Sequence, residues 1–260
     1  MSWLLLIDQP APGAWNMALD QALLESAEAE GLRALRLYAW DPPTLSFGRN
    51  EPALLRYDRA AVERQGLAVV RRPTGGRAVW HHREVTYSVA APAATFGCLR
   101  DTYHEIHAML ADALTSLGAA VVLAADRPPS PPAAGVGAGA CFASAAGGEV
   151  MAQGGGKVVG SAQMRGDGAF LQHGSILLAA EQDVVASVTA GDANAPSATG
   201  LTELVYPRRA TWEAVSGAVA EAAAARWGAP RVPSAPPASV RARAEHARAR
   251  FADPAWTWRR

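Results

Sequence analysis

Short apolar or β-branched runs, cut by Pro and Gly, fill the first ninety residues and read as strands. They are Met1–Ile7, Leu35–Tyr38, Thr44–Phe47, Leu67–Val70 and Val85–Val89. Two longer stretches carry helical spacing. Residues 14–30 place Met17, Leu23 and Leu24 on an apolar face, with Gly31 as a stop. Over 102–117, Tyr103, Ile106, Leu110, Leu114 and Leu117 share a face, and Thr102 with Glu105 has the form of a capping box. Val121–Leu123 follows as a strand, and the Pro-, Gly- and Ala-rich stretch 124–140 is expected to be a mobile loop. Segments 149–153, 157–165 and 169–178, split by Gly154–Gly156 and by Gly166-Asp167-Gly168, predict an antiparallel meander. Helices are expected over 211–226 and 239–251, separated by the Pro-rich stretch 229–237. Strands and helices mix without strict βαβ alternation, which predicts an α+β fold with a largely antiparallel mixed sheet flanked by helices.

Composition narrows the classes of function. At 260 residues, 50% hydrophobic and 18% charged, the chain is expected to form one domain, with a core over about 31–226 and a C-terminal helical segment over 239–260. The net charge of zero supplies no global field toward nucleic acid or an anionic membrane, so neither is expected as a partner. Two cysteines cannot form a disulfide framework, and the apolar start, stopped by Asp8 and Pro10, is too short for a leader or a span. A cytoplasmic location follows as the expectation.

Lys157 is the only lysine; every other basic residue is arginine. Lysine is a compact point charge on a flexible stem, and arginine is a wide fork that does not replace it in chemistry. Strand alternation places Lys157, Val159, Ser161 and Gln163 on one face, a polar set suited to a site floor, and His173 and Ser175 are expected to join it. Cys141 stands sixteen residues upstream of Lys157. A neighbouring ammonium favours thiolate, so the pair suits acyl transfer through a thioester. Cys98, with no base near it in sequence, is assigned a structural role. The run Arg71-Arg72-Pro73-Thr74-Gly75-Gly76-Arg77 offers backbone N–H groups and fixed positive charge to an anionic ligand. Three other patterns do not carry chemistry. Gly156-Lys157 lacks the rest of a P-loop, His104-Glu105-Ile106-His107 is one residue short of a zinc-protease HExxH and is assigned to a solvated helix face, and Arg241, Arg243, Arg248 and Arg250 are expected to decorate a helix.

Taken in order, Asn16–Asp20, Thr44–Gly48, Arg71–His81, Glu84–Val89, Ala140-Cys141-Phe142, Gly156–Gln163 and Leu171–Leu178 resemble the biotin/lipoate protein ligase and lipoyl (octanoyl) transferase superfamily. The Cys-Phe element with Gly160-Ser161-Ala162-Gln163 is most similar to the octanoyltransferases typical of Gram-positive bacteria. The resemblance implies a fold like that of class II aminoacyl-tRNA and biotin synthetases. It implies Cys141 as the acyl-thioester nucleophile and Lys157 as the group that lowers its pKa. Substrate contacts are expected from Arg72, Gly75, Gly76, Arg77, His81, Gly160, Ser161, Gln163 and His173. Two departures stand out: His82 replaces the usual Asp, and Ala143–Gly148 replaces a bulkier Pro/aromatic stretch.

The reaction so implied moves an octanoyl group from octanoyl-acyl carrier protein to a lysine of a lipoyl-domain protein, the glycine-cleavage H protein being the family's usual acceptor. Thioester to amide is downhill, so no cofactor, metal or ATP is expected. The alternatives are an ATP-dependent lipoate–protein ligase, an amidotransferase between lipoyl domains and, last, a non-catalytic lipoyl-domain or nucleic-acid binder.

Overall fold

The computed structural model describes residues 2–125, 148–191 and 197–259. Its centre is a five-stranded sheet in the order β1 (Leu4–Ile7), β2 (Ala34–Tyr38), β6 (Glu84–Pro92), β10 (Ala169–Leu177), β9 (Val159–Arg165). Only β1 and β2 run parallel; the other neighbours are antiparallel. A second sheet places β3 (Thr44–Phe47) between β4 (Ala68–Arg71), parallel to it, and β5 (Val79–His81), antiparallel to it. The α+β class with a largely antiparallel mixed sheet is therefore what the chain adopts.

Side chains on the large sheet alternate between two cores because a strand's period is two. Leu35, Leu37, Val85, Tyr87, Val89, Phe170 and Ile176 pack with α4 (Leu99–Ser116) and α6 (Trp212–Trp227) through Ile106, Met109, Leu110, Val215 and Val219. On the opposite face Leu4, Leu6, Tyr38, Ala90 and Leu171 meet α1 (Gly13–Glu30) and α7 (Ala238–Ala252) through Met17, Leu19, Leu23, Val240 and Ala244. Burying each Leu, Ile, Val, Met or Phe among them contributes about 1.5–3 kcal/mol before ordering costs. Helix α1 ends as expected: Gly31 takes the left-handed conformation, φ 68°, and its N–H returns to Ala27 O.

Three local expectations are corrected. Helix α4 starts one turn early, with Cys98 at the N-cap in a reciprocal box with Asp101, because Thr102 is buried and Glu105 instead reaches Arg226 and Trp227. Cys98 itself is exposed. The meander is broken: β8 (Val150–Ala152) ladders with β7 (Val121–Leu123), and only the single bridge Met151–Lys157 links it onward. Register overturns the shared polar face. His173 pairs with Ala162 and Ser175 with Gly160, whereas Ser161 faces Gly174 and Gln163 faces Gln172. Opposed residues share a face, so His173 and Ser175 point to the α1 side and Ser161 to the α4 side. Most of the 124–140 stretch lies outside the described residues.

Three small helices have no counterpart among the sequence-based expectations, α2 (Ala53–Arg56), α3 (Arg59–Arg64) and α5 (Asp183–Ser187), whereas α8 (Pro254–Thr257) falls within the helical segment expected over 239–260. Among the described residues, no helix is long and apolar enough to cross a membrane.

Candidate functional site

A partly open pocket is lined by Met17 of α1, by Tyr38 and Trp40, by Arg72, Val79, His81 and Thr86, and by residues of β9 and β10 including Gly160, Ser161, Ala162, His173 and Ser175. Its polar wall residues are committed to one another. Arg72 Nη1 donates to Ser46 Oγ at 2.5 Å, so the Ser46 hydroxyl donates onward to His81 Nε2 at 2.6 Å. His81 Nδ1–H then meets Glu84 Oε1 at 2.8 Å, an oxygen that also accepts from Ser175 at 2.9 Å and from Thr86. Trp40 donates to Thr86 Oγ1 at 2.7 Å and stacks on the His81 ring with centroids 4.0 Å apart.

A parallel chain runs through His173. Its Nδ1–H donates to Asp20 Oδ2 at 2.8 Å, which leaves Nε2 to accept the Thr74 hydroxyl at 2.6 Å. Asp20 also receives Arg36 Nη1 and Tyr38 Oη at 2.8 Å each and Ser88 Oγ at 2.9 Å. Burial pushes the Asp20 carboxyl up, but the His173 bond and the Arg36 charge outweigh it and hold the group below the usual carboxylate range. Burial drives His173 below the ordinary imidazole value, with Asp20 pulling the other way. Both imidazoles therefore spend both nitrogens on protein groups, and the cavity sees carbon and ring edges.

Lys157 sits just ahead of β9, its backbone bridged to Met151 and Ala198. Its Nζ meets Glu149 Oε1 at 2.6 Å, with both side chains buried, and Tyr103 Oη donates to the same carboxylate oxygen at 3.3 Å. Beside them His107 is fully buried, not on a solvated face as its HEIH context implied. Its Nε2 lies 2.7 Å from Ser161 Oγ, which is also 2.7 Å from Tyr87 Oη. Burial, then the charges of Lys157 and His104, hold His107 down at a pKa of about 3. Gln163 donates to Gln172, whose amide in turn donates to Tyr87.

The arginine run divides by role. Arg71 is fully buried and donates to carbonyls of Gly48, Arg49 and Glu51 and of Trp256, Thr257 and Arg259. It fastens the C-terminal segment to the 48–51 loop, and burial first, then Arg259, lowers its pKa to about 10. Arg72 lines the cavity while holding the carbonyls of Ser46, Gly75 and Arg77. Gly75 and Gly76 form the turn above it. Gly76 has φ 91°, and a Cβ on Gly48 would collide with the Gly76 carbonyl, so both positions need glycine.

The predicted residues thus fall into separate groups. Arg72, His81, Gly160, Ser161 and His173 border the cavity; Gly75, Gly76 and Arg77 form the turn; Lys157 lies with Glu149 and His107; Gln163 pairs with Gln172. Cys141 lies outside the described residues. Ser46, Thr74, Glu84 and His107 carry no signal in the sequence that marks them as individual functional positions. Asn16 and Asp20 did carry a signal, being polar residues four apart within an apolar helical run.

Residues 12–214 match the family described as the lipoyl protein ligase A/B catalytic domain. The chain is similar to octanoyltransferase LipM of Symbiobacterium thermophilum, 42% identical over 180 residues that cover 68% of this chain and 65% of that relative. It is also similar to octanoyltransferase LipM of Kyrpidia tusciae, 41% identical over 192 residues covering 72% and 70%. The match thus spans just under two-thirds of the first relative's length. Among solved structures, a lipoate-protein ligase A bound with ATP superposes with TM-score 0.81 at 19% identity, covering 99% of each chain. A bi-partite lipoate protein ligase from Thermoplasma acidophilum does so with TM-score 0.77 at 17% identity, covering 99% of this chain and 96% of that one. At such identities these two speak for the fold alone.

Proposed function

Because the chain belongs to the lipoyl protein ligase A/B catalytic-domain family, we propose that it is an octanoyltransferase of protein lipoylation, working from an acyl thioester through Cys141. One observation carries the reading from the structure: the cavity's polar side chains are paired internally, leaving an apolar lining suited to an alkyl chain. Burying the seven apolar carbons of an octanoyl group would contribute about 5 kcal/mol before ordering costs. Relatives named octanoyltransferase LipM, at 42% and 41% identity, support the same activity.

In this reading the Cys141 thiolate attacks the donor thioester and the carbonyl π pair moves onto oxygen. The pair returns as the bond to the carrier's sulfur breaks, leaving octanoyl-Cys141 and the carrier thiolate. A neutral lysine amine of the acceptor then attacks; the amide forms, Cys141 leaves as thiolate, and the nitrogen's proton passes to it. Lys157, buried beside Glu149, is assigned to stabilise the thiolate. The donor is octanoyl-acyl carrier protein and the acceptor a lipoyl-domain protein such as the glycine-cleavage H protein, in the cytoplasm. We take residues 1–260 as one catalytic domain; α7 packing along α1, and the Arg71 grip on the C-terminal carbonyls, support that.

The test is an intact mass after incubation with octanoyl-acyl carrier protein and no ATP. One octanoyl adduct, lost in Cys141→Ala, is expected. Acceptor modification that requires ATP and free octanoate, with no adduct, would overturn the proposal in favour of a ligase.

A further inference from the structure

Resting on the acyl-transfer reading above, we infer that Thr74 is a positioning residue, which sets the Gly75–Gly76 turn through His173 and Asp20. The bond between Thr74 Oγ1 and His173 Nε2, 2.6 Å long, joins a loop of the small sheet to the large sheet. Thr74 follows β4 of the small sheet, whereas His173 sits in the middle of β10 of the large one. Both side chains are buried, so water does not compete for the bond.

His173 is held rigidly. Its backbone is paired on both sides, opposite Ser88 of β6 and Ala162 of β9. Its other nitrogen is pinned by Asp20, itself locked by Arg36, Tyr38 and Ser88. The direction of the protons follows from that pinning. Asp20, an acceptor, takes Nδ1–H, which makes Nε2 an acceptor and the Thr74 hydroxyl its donor.

The turn beyond Thr74 is fixed from its other side as well. The Thr74 carbonyl accepts from Arg49 N at 2.7 Å, and Arg72 Nη2 holds the carbonyls of Gly75 and Arg77 at 3.0 and 2.8 Å. Thr74 is thus where the height of the turn above the cavity is referred to the large sheet. Valine has the shape of threonine and lacks the donor, so Thr74→Val removes this reference and little volume. Serine restores the donor.

Purified full-length wild type, Thr74→Val and Thr74→Ser are compared in octanoyl transfer, with kcat and donor KM measured separately, and in hydrogen exchange of the peptide over 72–80. Misplacing a substrate-facing turn by about 1 Å costs roughly 100-fold in rate. A kcat about 100-fold lower is therefore expected for Thr74→Val, with donor KM within about threefold, and near-wild-type kinetics for Thr74→Ser. Exchange over 72–80 is expected to rise at least about tenfold in Thr74→Val and to stay near wild type in Thr74→Ser, as an opened local unit requires. Unchanged exchange in Thr74→Val, or equal damage in both variants, would overturn the positioning role whether or not transfer is observed. A wild type that transfers no octanoyl group while Thr74→Val still loosens 72–80 would refute the proposed reaction and leave the role of Thr74 standing.

Discussion

Lowering the pH from about 7.5 to about 4.5 should destabilise the protein through His107, and His107→Gln should remove that part of the loss. The imidazole is fully buried and held at a pKa of about 3, by burial first and then by the charges of Lys157 and His104. In the unfolded chain it titrates near 6.5. A depressed histidine contributes fully above the unfolded value, and its contribution falls as acid protonates the unfolded chain alone. The loss begins near pH 6.5 and continues down to about pH 3. At about pH 4.5, two pH units into that window, it amounts to about 3 kcal/mol at 1.36 kcal/mol per unit. Glutamine keeps a polar group toward Ser161 and carries no charge in either state. Urea denaturation of both proteins at about pH 7.5, 6 and 4.5 gives the stability difference directly. His173 and Asp20 are also shifted, but they are common to both chains and cancel in the difference. The variant should gain about 3 kcal/mol relative to wild type over this range. A difference that changes by less than about 0.5 kcal/mol would mean that His107 is hydrated or already charged in the folded protein, and would refute the argument.

Other perturbations follow from the same contacts. Asp20→Asn leaves Asp8 as the one carboxylate on Arg36 and disturbs His173, so a loss of about 3–5 kcal/mol in urea unfolding is expected; under about 1 kcal/mol would show that the network is not coupled. Gly48→Ala drives a methyl group into the Gly76 carbonyl, which should cost about 1–3 kcal/mol in stability and lower transfer, and full activity would show that the turn can shift freely. In Arg71→Lys, three ammonium protons cannot serve the carbonyls that the guanidinium holds, so limited proteolysis near 250–259 should accelerate several-fold, while an unchanged cleavage rate would contradict the clasp. Lys157→Arg keeps the charge but not the compact amine against Glu149, and transfer should fall at least about tenfold; wild-type rates would mean that the amine is not required.

Apolar runs cut by Pro and Gly, together with helical spacing, determined by themselves which parts of this chain are helix and which are strand. Helix α1 with its Gly31 stop, strands β3 and β7, and the strand ends around Gly166-Asp167-Gly168 were legible for that reason. The ordered motifs likewise identified the family, and Arg72, His81, Ser161 and His173 as residues to watch. Pairing was not legible, because a strand's sequence states its period and not its partner. Only the ladders decided that β8 belongs with β7, and that His173 and Ser175 face α1 while Ser161 faces α4. Nor could the sequence tell a solvated histidine from a buried one. His107 is buried because α4 lies over β9 and β10, and its neutrality comes from a low-dielectric site beside Lys157. The same holds for the hydrogen-bond partners of Thr74, Ser46 and Asp20, which come from distant parts of the chain. Their hydrogen bonds exist because burial removes water as a competing partner, and that removal is a property of the assembled tertiary structure.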